Sequence, residues 1–193
     1  MRRTPRFGTD ERGSMTIEFM IWIPLLMMWF AASVVPYDAY RNRDDAAKAA
    51  YTISDIASRQ IEIESTPPNE IDELYTLQQR MLPHADGETT LRVSSVKYAE
   101  ADGRHCLAWS EARGDLASHP PLSQADVESD AFLARVPQMA DQDHMLLVEV
   151  MVPFVPFSTL GGIEARTWTF DVFTRPRFVS KVAMAGVVSP CDG

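Results

Sequence analysis

One stretch of nineteen residues without a charged side chain, from Phe19 to Tyr37, constrains this chain more than any other feature. As an α-helix the stretch is about 28 Å long, because each residue adds about 1.5 Å along the axis. That length is close to the hydrocarbon thickness of a bilayer, about 30 Å. A buried core helix is the alternative, but core helices rarely run so far without a charge. We therefore predict that residues 19–37 cross a membrane and contact its lipid.

The charges are distributed unevenly around this stretch. The first thirteen residues carry four arginines against two acids, a net of +2, whereas the whole chain of 193 residues has a formal charge of −9. A basic flank of a membrane span stays on the cytoplasmic side, so residues 1–13 are predicted to be a cytoplasmic leader. An acidic chain without clustered lysine and arginine does not suit phosphate neutralisation, and no nucleic-acid partner is expected. The arginines are Arg2, Arg3, Arg6 and Arg12.

Three kinds of targeting segment fit an apolar run near the N-terminus. A secretory signal peptide has a shorter apolar region followed by small residues at a cleavage site, and here Ala32-Ser33-Val34 is only a weak candidate. An uncleaved signal anchor fits the length and the basic flank. Neither explains Glu18, because a carboxylate at the mouth of a span is costly to insert and normally has a function.

The residues around Glu18 supply a third possibility. Arg12 to Phe19 reads RGSMTIEF, which resembles the class III signal of type IV pilins and pseudopilins. In that family a membrane aspartyl peptidase cuts after a glycine, and the fifth residue of the mature chain is glutamate. The resemblance implies cleavage between Gly13 and Ser14, pairing of the new Ser14 amine with Glu18, and retention of residues 14–37 as a transmembrane assembly helix.

The longer sequence ERGSMTIEFMIWIPLL is similar in particular to the TadE/TadF-type pseudopilins of tight-adherence (Flp-type) pilus loci, over roughly residues 8–40. The major pilins of those loci are very short and carry Glu-Tyr, whereas this chain has Glu18-Phe19 and a long segment beyond the helix. The resemblance therefore implies a minor pilin of the bacterial inner membrane. Its partners would be other pilins, the pilus assembly machinery and the prepilin peptidase. An uncleaved single-span protein with an extracytoplasmic partner-binding domain is the alternative.

Residues 38–193 are predicted to form one extracytoplasmic, pilin-like α+β domain. The helix is expected to continue from Tyr37 to Glu64 as an amphipathic segment, because small and apolar residues recur at spacings of three and four. Asn69 is expected to cap a second helix, and Ser123 a short one. Alternating patterns predict a mainly antiparallel sheet of four strands in meander order. The predicted strands are 90–100, 104–112, 145–157, where Pro153 suggests an edge strand or a strand end, and 164–178.

Motifs that carry chemistry are scarce. The sequence has no glycine-rich phosphate loop, no G-x-S-x-G, no H-E-x-x-H and no C-x-x-C. The segment 141–144 (DQDH) is interpreted as a solvated turn rather than a metal site. The basic spot at 175–177 (RPR) is expected to form charge pairs at the rim of the domain, with contact to an acidic partner as the alternative. We expect no catalytic residues, no metal, no cofactor and no enzymatic activity. The four histidines are scattered at His84, His105, His119 and His144.

The chain has two cysteines, Cys106 and Cys191. The predicted orientation places both outside the cytoplasm, where disulfides form and persist. Two cysteines allow a single intramolecular pairing, so we predict a Cys106–Cys191 disulfide. A bond that holds the C-terminal tail also resembles many type IV pilins. Two unpaired thiols are the alternative.

Overall fold

The computed structural model describes residues 14–100, 103–158, 162–189 and 191. They form two compact units. The first contains the helix as far as Ala39 and the described residues of Pro156–Glu164. The second contains Tyr40–Val155 and the described residues from Ala165 onward.

Helix α1 spans Ser14–Ala57 and contains both Pro24 and Pro36. The prediction that an apolar helix passes into an amphipathic one is confirmed, but the helix ends before Glu64. Residues beyond Ala57 form a turn and then strand β1, Glu62–Ile63. This strand pairs in parallel with β6, Ala183–Met184, and Ile63 is fully buried there. Pairing with a segment far away in the sequence therefore makes residues 62–63 a strand. Helical periodicity alone does not predict this pairing.

Helix α2, Glu70–Met81, begins where its cap predicts. The side-chain oxygen of Asn69 accepts hydrogen bonds from the backbone N–H groups of Ile71 and Asp72. In return the Asp72 carboxylate accepts one from the Asn69 backbone N–H at 2.8 Å. This reciprocal arrangement satisfies donors that otherwise lack a partner in the first turn of a helix.

Four antiparallel strands form the main sheet: β2 (Thr90–Ala99), β3 (Arg104–Arg113), β4 (His144–Phe154) and β5 (Arg166–Thr174). The α+β fold is thus confirmed, but the strand order is β3-β2-β4-β5, so the predicted meander is wrong. Strand β4 pairs with β2 rather than β3, and the long connection after β3 allows the chain to reach the other side of β2. That connection carries two short helices, α3 (Gln124–Val127), capped by Ser123, and α4 (Asp130–Leu133), capped by Ser129.

Pro153 lies next to the last residue of β4, a strand with partners on both sides. Of the two alternatives for this proline, the strand end is therefore correct and the edge strand is wrong. Proline lacks the N–H that a sheet ladder needs, and the end of a strand is where that loss matters least.

The two faces of the sheet are covered differently. Val148 and Leu147 are adjacent in β4 and so point to opposite faces. Val148 belongs to the larger apolar cluster, together with Ala46, Ala50 and Ile53 of α1. Leu147 belongs to a smaller cluster formed with the residues of the connection between β3 and β4. Its other buried members are Val96, Val127 and Phe132.

Candidate functional site

The N-terminal part of α1 is an apolar surface. Every side chain from Met15 to Ala31 is exposed, and burial begins only at Ala32. The helix is long and apolar enough to cross a membrane. A single-pass membrane protein is therefore supported by the length and composition of this helix.

One carboxylate interrupts this surface. Glu18 is the only charged residue between Ser14 and Tyr37, and its side chain is exposed. Both Ser14 and Glu18 lie within α1. Positions four apart on a helix share a face, with Cβ atoms about 5–6 Å apart. Of the two residues at the predicted cleavage site, only Ser14 is described. Gly13 and the rest of the leader lie outside the described residues.

The structure joins Cys106 and Cys191 in a disulfide, with their Cα atoms 5.8 Å apart. Cys106 lies in β3 opposite Lys97 of β2. The Lys97 ammonium donates a hydrogen bond to the Cys191 carbonyl oxygen at 2.7 Å. Cys191 is therefore attached to the sheet by a covalent bond and by a charge-assisted hydrogen bond.

A buried cluster of charged side chains crosses the main sheet. The sequence patterns above do not predict this cluster. Arg92, Glu149 and Asp171 lie side by side on β2, β4 and β5. Glu149 is only 1% exposed, and its Oε2 lies 2.6 Å from Nε of Arg92. Arg135 approaches Oε1 of Glu149 at 3.5 Å and also pairs with Asp171. An acid inside the otherwise apolar stretch LLVEVMV was the available signal, since buried acids need partners.

A second ion pair connects α2 to the sheet edge. Nε of Arg113, at the end of β3, lies 2.6 Å from Oδ1 of Asp72. The hydrogen bond from Arg113, aided by the one from the Asn69 backbone, lowers the pKa of the Asp72 carboxyl. The capping carboxylate thus stays ionised at mildly acidic pH and keeps both roles.

The histidines do not converge. Burial lowers the pKa of His105, which packs against Tyr98, and His84 contacts the Arg41 side chain at 2.7 Å. Within the described ranges no group of three or more His, Cys, Asp or Glu side chains is arranged to hold a metal ion.

The basic spot at 175–177 forms the expected rim pairs. Arg175 binds Asp143 at 2.7 Å and Arg177 binds Asp55 at 2.5 Å. Within the segment 141–144, Asp141 and Gln142 form an exposed turn, whereas Asp143 accepts from Arg175 and His144 is buried as the first residue of β4.

No family model matches this chain, and neither the curated proteins nor the solved structures show a match to it.

Proposed function

We propose that this protein is a minor pilin or pseudopilin that takes part in assembling a tight-adherence (Flp-type) type IV pilus or a related secretion system. The observation that carries the proposal is the exposed apolar part of α1, which contains a single carboxylate, Glu18, one helical turn from Ser14. Such a surface suits packing between helices of neighbouring subunits, in which an isolated carboxylate needs a cation.

Cleavage after Gly13 would create that cation. The new N-terminal amine of Ser14 is protonated at neutral pH, since α-amino groups have a pKa of about 7.7–8.0. Because Ser14 and Glu18 share a helix face, the amine is within reach of the carboxylate of the same chain. In a row of packed helices it is equally suited to the carboxylate of a neighbour.

The orientation in this proposal has two supports. The basic leader favours a cytoplasmic N-terminus, and the α+β domain would then lie in the periplasm. The Cys106–Cys191 disulfide is compatible with that compartment, because disulfides persist under oxidising conditions.

Replacing Gly13 with leucine is expected to block processing. The peptidase accepts a residue without a side chain before the cut in this family, so Gly13→Leu should retain all thirteen leader residues and abolish incorporation into the pilus. The measurement is the intact mass of the membrane-extracted protein. Gly8→Leu, a matched change within the leader, should be processed normally. A wild-type chain that keeps its leader would instead favour the uncleaved single-span protein.

Removing the carboxylate is expected to separate insertion from assembly. Glu18→Ala and Glu18→Gln should be cleaved and inserted normally, because each makes the span less costly to place in lipid. Both should lose co-purification with the pilus machinery, since the Ser14 amine then lacks its partner. Thr16→Ala, which changes a neighbouring polar residue on another helix face, is the control. Normal co-purification of both Glu18 variants would contradict the pairing role.

A further inference from the structure

Besides residues 19–37, the chain contains a second segment without charged side chains. Residues 150–163 contain no charged side chain and are flanked by Glu149 and Glu164. Residues 150–154 complete β4, and the described residues that follow, 155–158 and 162–163, lie outside the strands as loop. Within that loop the Phe157 side chain is 69% exposed. A loop on the surface of a soluble domain normally carries polar residues at such a position.

The described loop residues of Pro156–Glu164 belong to the same compact unit as the helix up to Ala39. Along this helix the side chains are exposed from Met15 to Ala31, and buried or half-buried ones first appear at Ala32, which favours residues 32–39 as the part of the helix beside the loop. The uncharged run ends there with Tyr37, which is 69% exposed, and Asp38 follows. Tyrosine is enriched where a span meets the headgroups, so this level corresponds to the membrane interface.

We infer that Phe157 inserts into the bilayer interface beside the point where α1 leaves the membrane. The inference rests on the membrane insertion of α1 that the proposed function includes. Aromatic rings are favourable at headgroup level, and continuity with the apolar helix places this ring at that level. The ligand of the loop is thus the lipid interface itself, contacted by a second and separate part of the chain.

The charge of the protein determines which lipids suit this contact. The chain is acidic, with a formal charge of −9, and the loop supplies no lysine or arginine between Val150 and Ile163. The loop therefore offers no cation to anionic headgroups, and burial of its apolar surface drives the contact. Insertion of Phe157 is expected in zwitterionic phosphatidylcholine and should be insensitive to salt.

A spin label at Phe157→Cys in the full-length protein tests the inference. Both native cysteines are in the disulfide, so the label reacts at the introduced thiol, and the protein without that thiol shows the background. Phosphatidylcholine vesicles at high lipid-to-protein ratio are probed with oxygen, which partitions into lipid, and a nickel chelate, which stays in water. Met27→Cys reports the membrane interior and Tyr37→Cys its interface. Phe178→Cys is the matched control, an equally exposed phenylalanine (71%) of the other unit.

The expected result is a higher ratio of oxygen to nickel relaxation at position 157 than at 178, with a depth equal to that at 37. Equal ratios at 157 and 178 would overturn the inference, while a lipid-like reading at 27 would leave the membrane helix intact. A water-like reading at 27 would overturn both the membrane helix and the inference. Spectral broadening at 157 that grows with protein density would also overturn it, because a second copy would then cover the ring.

Discussion

Removing the disulfide is expected to lower the free energy of unfolding by about 4–5 kcal/mol. The bond joins residues separated by 85 positions. In the chain-entropy model, closing a loop of that length lowers the conformational entropy of the unfolded chain, which stabilises the fold by about this free energy. Whole domains are typically stable by only about 5–15 kcal/mol. The double variant Cys106→Ser, Cys191→Ser should therefore lose a large share of its stability.

Urea unfolding of the full-length protein in detergent, with and without reductant, measures this effect. The reduced wild-type protein and the double-serine variant should unfold at similar, lower urea concentrations. Lys97→Met is the control, because it removes the hydrogen bond to the Cys191 carbonyl but keeps the covalent bond. The free energy of unfolding of Lys97→Met should fall by less, about 1.5–3 kcal/mol, as is typical for a hydrogen bond to a charged group. An unchanged midpoint in the double variant would show that the bond contributes no stability.

Substituting Glu149 is expected to lower the free energy of unfolding by about 3–5 kcal/mol, the typical effect of removing one partner of a buried ion pair. The Glu149 side chain is 1% exposed and that of Arg92 is 12% exposed. In Glu149→Ala the Arg92 guanidinium therefore loses the carboxylate, and little water can reach it to solvate its charge. Arg92 would keep a hydrogen bond to the uncharged carbonyl oxygen of Pro120 at 2.8 Å and a longer-range attraction to the Asp126 carboxylate, neither of which replaces the direct contact with Glu149.

The cluster contains its own matched control. Asp171 pairs with Arg135, whose side chain is 39% exposed and stays hydrated when the acid is lost. Asp171→Asn should therefore cost only about 1 kcal/mol. Replacing both members of the buried pair, as in Glu149→Leu with Arg92→Met, should recover much of the loss, because no charge is then left unpaired. If Glu149→Gln is no more destabilising than Asp171→Asn, the ion pair is not what stabilises this part of the sheet.

Features set by neighbouring residues could be predicted from the sequence. The apolar helix depends on an unbroken run of uncharged side chains, and α2 depends on Asn69 and Asp72 within its first turn. The cysteine pairing required only that the chain has two cysteines in one compartment. The proposed cleavage site also depends on a short local pattern, from Gly13 to Glu18, and stays a prediction.

Features set by long-range pairing could not. Whether Ile63 lies in a helix or in a strand depends on Met184, its partner in the parallel β1–β6 pair. The position of β4 beside β2 depends on the path of a long connection, which leaves strand order open. Arg92 and Glu149 meet because of that order and its register. The sequence by itself thus determined the long apolar helix, the helix caps and the α+β class, since these follow from patterns within a few residues. Only the tertiary structure decided the strand order, the end of α1 and the buried ion cluster, because burial and pairing depend on residues far apart in the chain.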